Sequence, residues 1–321
     1  MFEGLLSGIF WALDTVILGI ALAMTPFVST EQAIFLAPFA STFIHDFCSG
    51  IWMLIYMGIK KEYGKVIKAL KTKSGKYIML GALLGGPIGM SGYVAAIKFI
   101  GPAYTAIISA LYPALGALLS YLFLKEKMSK IQLTGLGVSI LGVIGLSYVS
   151  DGGARPENLV IGFLCALLCV FGWAGEAVIC AYGMKDPDVS DEQALQIRQM
   201  TSAVFYGAII LPIIAGWGFT ISIIPTGIAP VVLLAALFGT ISYVMYYRAI
   251  NKLGPAKAMA LNITYTAWSI VFALILLKQI PGVRSIIFGI IVIVGSFVAA
   301  NGIKGLASEK VVDEVEDEEK S

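Results

Sequence analysis

The sequence predicts an all-α membrane protein of ten transmembrane helices, arranged as two inverted five-helix repeats. Three observations predict it: the composition, the spacing of the apolar runs, and a match between the two halves of the chain. Of 321 residues, 58% are hydrophobic and only 13% charged, and the mean hydropathy is +0.88, outside the range of soluble globular domains. Apolar runs fall at roughly 4–24, 33–59, 77–98, 102–124, 131–149, 159–184, 193–217, 228–250, 255–277 and 284–303. Each approaches or exceeds the roughly 20 helical residues that cross a hydrocarbon core about 30 Å thick.

The first run starts close to Met1 and carries Glu3 in place of a basic leader, so it reads as a span and not as a signal peptide. The second is followed by Lys60, Lys61, Lys65, Lys68, Lys71, Lys73 and Lys76, and the fourth by Lys125, Lys127 and Lys130. Positive charge collects in cytoplasmic loops, whereas the odd-numbered links hold only scattered basic residues such as Arg155, Lys278 and Arg284. Both termini are therefore expected in the cytoplasm, with the chain in a bacterial cell membrane. The tail, 306–321, is acidic and without aromatic residues, and reads as solvated and disordered.

Shifting the chain by 153 residues superposes Tyr93 on Tyr246, Gly101-Pro102-Ala103 on Gly254-Pro255-Ala256, Tyr112 on Tyr265 and Gly142 on Gly295. A shift of 162 places Trp11-Ala12 on Trp173-Ala174 and Asp14 on Glu176, and a shift of 161 places Ser41 on Ser202. The units are 1–150 and 151–305. Because five is odd, the second unit crosses the membrane in the opposite sense, the arrangement of transporters whose substrate site lies at the repeat interface near the midplane.

Several segments carry polar residues that lipid does not tolerate. Trp173 and Glu176 share a face of the sixth, as Trp11 and Asp14 do in the first. A carboxylate at the centre of a span costs at least about 2.5 kcal/mol, so it faces a partner, water or a cationic ligand. His45 and Asp46 lie inside the second segment, and Arg198 and Gln199 two turns into the seventh. These read either as a structural Asp46–Arg198 ion pair or as a proton relay through the imidazole. Lys98 and Arg248, at helix ends, are expected to reach out to the interface. Segments eight and nine add Tyr243, Tyr246, Tyr247, Asn262, Tyr265 and Trp268. Gly85-Gly86-Pro87, Gly101-Pro102 and Gly254-Pro255 punctuate helices, Gly135, Gly142 and Gly145 suit close packing, and Ser29/Gln32 and Ser190/Gln193 have capping-box spacing.

Enzyme and cofactor chemistry finds no support. The cysteines, Cys48, Cys165, Cys169 and Cys180, lie inside spans without metal or redox spacing, and a single histidine excludes a multi-histidine metal site. There is no phosphate-binding loop or nucleophile elbow, and nothing points to nucleic acid.

Over residues 1–305 the chain resembles the drug/metabolite transporter superfamily with two EamA-type units, on Leu124-Lys125-Glu126 followed by Gln132, Gly135 and Gly142. In the second unit Gln279 stands where that charged junction is expected. Within the superfamily the likeness is to bacterial choline permeases of the lic type, carried by GLLSGIFW (4–11), HDF (45–47), GALLGGPIGM (81–90), IRQMTS (197–202), ISYVMYY (241–247), AINKLGPAKA (249–258) and LNITYTAWSIVFA (261–273). The resemblance implies uptake of choline or a related quaternary ammonium compound, driven by protons. On that reading Trp11, Trp173, Glu176, Tyr243, Tyr265 and Trp268 line the pocket, since aromatic faces hold a cation that donates no hydrogen bond. Asp14, His45, Asp46 and Arg198 serve coupling or gating, Asp14 standing where the family pattern has a small neutral residue. The alternative is an exporter of amino acids, drugs or other metabolites on the same fold.

Overall fold

In a computed structural model, described for residues 2–124, 129–147, 158–185, 189–279 and 282–301, the chain is helical with no strand among the described residues. The elements are α1 (Phe2–Ala23), α2 (Glu31–Ile59), α3 (Tyr63–Lys71), α4 (Lys73–Leu83), α5 (Ser91–Ser109), α6 (Tyr112–Leu124), α7 (Lys130–Ser147) and α8 (Leu159–Gly183). They continue with α9 (Asp191–Phe205), α10 (Leu211–Ile213), α11 (Trp217–Ile223), α12 (Ile228–Leu253), α13 (Pro255–Asn262), α14 (Tyr265–Phe272) and α15 (Val283–Asn301). Among the described residues, seven helical runs are long and apolar enough to cross a membrane, and an eighth if Asp191–Ile213 and Trp217–Ile223, bent by 119°, form one span. The all-helical, multi-pass membrane class is borne out.

Element boundaries follow local chemistry. Thr30, not Ser29, caps α2, its side chain accepting from Ala33 N at 3.1 Å, while Ser190 and Gln193 form the expected capping box on α9. Gly85, Gly86 and Pro87 give a π-helical turn, Leu84–Met90, joining α4 to α5 without a break in the span. At Gly101 (φ +80°) and Gly254 (φ +85°) the chain takes a conformation that favours glycine, and a proline restarts the helix. Helix α3 was not foreseen: nine residues with four lysines among their neighbours read as a charged loop when period and length are weighed alone.

Small residues set the packing. Gly81, Gly85, Gly89 and Gly92 form a stripe on which α8 lies, so close that a Cβ on Gly172 would meet Leu84 O and Gly89. Helix α1 lies along α12 as α8 lies along α5. Helices α7 and α15 form a further pair: Gly135, Gly142 and Gly145 face Ala299, Val292 and Phe288, and Ser139 Oγ lies 3.0 Å from Ser296 Oγ. All four cysteines are free.

Candidate functional site

Between α1, α6, α8, α12 and α13 lies a cavity of about 340 Å³, open space at its mouth included, lined by Trp11, Tyr112, Trp173, Glu176, Ser242, Tyr243, Tyr246 and Asn262. Its walls are aromatic. Trp11 stands edge-on to Trp173 at 5.2 Å and to Tyr243 at 5.1 Å, and Tyr112 stands edge-on to Trp173 at 5.9 Å. Behind them Tyr93 packs 4.6 Å from Trp173 and shares a 2.6 Å hydrogen bond with Thr15.

Glu176 supplies the one carboxylate of the lining, and three elements fix it. Arg198 Nε donates to Oε1 at 2.8 Å and the Tyr247 hydroxyl donates to the same atom at 2.8 Å, while Gly85 leaves room for the carboxylate where a Cβ would collide with it. Arg198 is wholly buried; Nη1 donates to Gln199 Oε1 at 2.6 Å and to Asp46 Oδ2 at 3.4 Å, and Nη2 to the Tyr243 hydroxyl at 2.9 Å. Asp46 also accepts from Ser202. The imidazole of His45 bridges two carboxylates at 3.1 Å each, Asp46 through Nδ1 and Asp14 through Nε2. A neutral imidazole has one N–H, so two facing carboxylates require a second proton on the ring or on one of them.

The result is a buried chain of charges, Asp14, His45, Asp46, Arg198, Glu176, running from the α1–α12 contact to the cavity wall. Even with His45 protonated, the three carboxylates exceed the two cations by one charge. Chemically the arrangement offers an aromatic box for an organic cation and, behind it, a hydrogen-bonded path of titratable groups.

At the end of the bundle where α2 and α12 finish and α9 begins, a second cluster ties three helices together. Glu192 accepts from the Tyr56 hydroxyl at 2.7 Å, from Arg248 Nη2 at 2.6 Å and from Lys60, and Arg248 Nε lies 3.7 Å from Asp191. The bond to Glu192 raises the pKa of Lys60 above its ordinary value.

The structure brings Trp11, Trp173, Glu176 and Tyr243 together at the cavity and Asp14, His45, Asp46 and Arg198 together in the charge chain. It does not bring Tyr265 or Trp268 to the lining. Tyr265 is buried with its hydroxyl 2.6 Å from Ser109 Oγ, and Trp268 is 39% exposed and stacked on Phe272. A three-residue step sets the second side chain about 60° round the helix from the first, and at the bundle's edge that offset leaves Trp268 partly exposed while Tyr265 is buried. Asp14 stands the same step from Trp11, and its side chain meets His45 of α2 and not the cavity. Arg248 pairs in the Glu192 cluster at the end of the bundle, and Lys98 donates to Leu22 O and Phe27 O at the end of α1 and just beyond it. Ser242 is a lining residue that sequence reasoning did not single out, and Tyr112 entered it only as the repeat partner of Tyr265. The expected disordered tail, Lys125, Lys127 and Arg155 lie outside the described residues.

Comparison with known proteins places this geometry in a family context. The EamA-like transporter family profile matches residues 4–148 and 160–301. The chain is 34% identical over 278 residues to Protein LicB of Haemophilus influenzae, covering 86% of this chain and 88% of that one. It is 24% identical over 211 residues to the uncharacterized transporter YyaM of Bacillus subtilis, covering 64% and 65%. A solved structure described only as the crystal structure of a protein superposes with a TM-score of 0.62 at 18% identity, over 92% of this chain and 96% of that chain, a likeness of fold.

Proposed function

The chain belongs to the EamA-like transporter family, and on that premise we propose that it imports choline or a related quaternary ammonium compound by proton-coupled alternating access. Family and relatives point to a transporter rather than an enzyme. The proposed architecture is ten spans in two inverted five-helix units, both termini cytoplasmic, in a bacterial cell membrane.

Exchanged contacts support the inverted repeat. Tyr112 donates to Asn262 Oδ1 at 2.9 Å, and Tyr265, 153 residues after Tyr112, bonds Ser109, 153 residues before Asn262. Gly101 and Gly254, the same distance apart, adopt the same positive-φ break, and the α1–α12 contact answers the α8–α5 contact.

One observation carries the substrate reading: Trp11 and Trp173, matched in the two halves, meet edge to face at 5.2 Å in the wall of a cavity that also holds Tyr112, Tyr243, Tyr246 and Glu176. Aromatic faces attract a trimethylammonium head by about 2 kcal/mol when desolvated. The unbalanced negative charge of the Asp14-to-Glu176 chain favours a monocation over a zwitterion. A bound cation competes with a proton for that charge, which supplies a route to coupling. The rival, export of amino acids or other metabolites, needs donors for a substrate carboxylate, yet Arg198 already donates to Glu176, Asp46, Gln199 and Tyr243, and the Asn262 amide to Ser7.

Flux into proteoliposomes tests the proposal. An inward proton gradient should drive labelled choline inward, choline and acetylcholine should compete, and betaine should compete at least tenfold less well. Proton-independent flux, equal competition by betaine, or tightest competition by a primary polyamine would each reject a part of it.

A further inference from the structure

Helix α3 has three faces, and one of them is buried against the rest of the protein. Val66 and Ala69 are buried against the bundle, where α3 meets α4 and α9. Tyr63, Ile67 and Leu70, at i, i+4 and i+7, form an apolar stripe that is 47%, 56% and 37% exposed. The remaining face carries Lys65, Lys68 and Lys71, continued by exposed Lys61 before the helix and Lys73 and Lys76 after it.

The helix is not loosely attached. The Tyr63 hydroxyl donates to Leu54 O at 2.8 Å and its ring covers Gly58, so the N-terminal end is pinned across the end of α2. At the other end Thr72 caps α4, accepting from Gly75 N at 2.9 Å, and Gly75 lets α4 start directly against Ala69 O. An apolar stripe held rigidly outward at the end of a membrane bundle has no use in water.

Charge names what adjoins it. Among the described residues, the ion pairs of this stretch are Lys60–Glu192 and Lys65–Glu62, which leaves Lys61, Lys68, Lys71, Lys73 and Lys76 without a carboxylate. Tyr77 and Tyr182 stack edge to face at 5.0 Å on the same end, with Lys185 Nζ 5.9 Å over the Tyr182 ring, an aromatic and cationic belt of the kind found at headgroup level.

We propose that α3 is an in-plane interfacial helix, its Tyr63–Ile67–Leu70 stripe sunk into the acyl boundary and its lysine face holding anionic phospholipid headgroups. A lysine with an apolar stem beside a buried stripe places its ammonium at the phosphate layer, and each adds about fivefold to the preference for an anionic surface. The site is independent of the transported substrate, and it stands next to the Glu192 cluster, since Lys60 closes α2 just before α3 begins.

The test uses the full chain on a cysteine-free background in nanodiscs of phosphatidylcholine with or without phosphatidylglycerol. A nitroxide at Ile67→Cys should be relaxed by oxygen and shielded from an aqueous nickel chelate, with the reverse at Lys68→Cys. Native mass spectrometry should retain phosphatidylglycerol in preference to phosphatidylcholine, a preference falling about fivefold per lysine in Lys68→Gln, Lys71→Gln and Lys73→Gln combined. An Ile67 site open to the aqueous chelate would leave the stripe to a soluble partner and overturn the assignment. An unchanged lipid preference in the triple variant, with the chain folded as judged by its elution profile, would overturn it too.

Discussion

Removing the guanidinium of Arg198 is the most informative single perturbation. Arg198 is fully buried and joins Glu176, whose side chain is 7% exposed, to Asp46, which is fully buried. Arg198→Leu leaves Glu176 with no cation and Asp46 with His45 alone, and breaking a buried pair from one side costs about 3–5 kcal/mol because the surviving charge stays desolvated. Glu176→Gln costs less, since Arg198 keeps Asp46, Gln199 and Tyr243. In the double variant only Asp46 is left, and it retains His45 and Ser202. The double variant should therefore be more stable than Arg198→Leu alone, with a coupling energy of roughly 2 kcal/mol in the cycle. Denaturant titration of purified protein, followed by far-ultraviolet circular dichroism, gives the four stabilities. An Arg198→Leu protein within about 1 kcal/mol of the parent, or a double variant no better than the single, would refute the linked chain of charges.

Three further outcomes follow from the geometry. Gly254→Ala at φ +85° should lower stability by about 1–3 kcal/mol, measured by the same titration, and Gly101→Ala likewise; wild-type stability for both would mean the breaks are unstrained. Glu192→Gln leaves Lys60 and Arg248 facing each other, and because these donors are 39% and 28% exposed the loss should be only about 1 kcal/mol; hydrogen exchange should rise in the first turns of α9 and in α3 and nowhere else. Single cysteines at Lys68 and Ser222 should label from opposite sides of sealed vesicles, and labelling from one side would contradict the proposed orientation.

Hydropathy made the class legible, and the 153-residue match located the breaks at Gly101 and Gly254, because backbone-determining residues leave a direct mark in sequence. Trp11, Trp173 and Glu176 were legible for a different reason: a large polar or aromatic group inside a span has few places to go. What the sequence left open was which way a stripe turns at the bundle's edge. Tyr265 and Trp268 share spacing with true lining residues, and only the packing of α14 tells them apart. The repeat held a stronger signal than the one used: Tyr93, Tyr246, Tyr112 and Tyr265 are two matched pairs, and three of the four touch the cavity lining or its back wall. The partner of Arg248 was hidden because Glu192 is distant in sequence and lies on another helix. The pairing of Glu176 with Arg198 was hidden in the same way, so a carboxylate read as open to a cation is in fact already engaged.

The glycine seam between α7 and α15 constrains how the molecule can move. There the two backbones approach so closely that a Cβ on Gly295 would stand 2.6 Å from Ser139 Oγ, and Ser139 also donates to Val292 O at 3.2 Å. Helices interlocked at that range cannot slide without one chain climbing over the other, and lipid offers no water to heal the parted bonds. The seam joins one half of the chain to the other and shares no residue with the cavity lining, so under the proposed alternating access it is the contact expected to stay assembled, a pivot pin about which the halves turn.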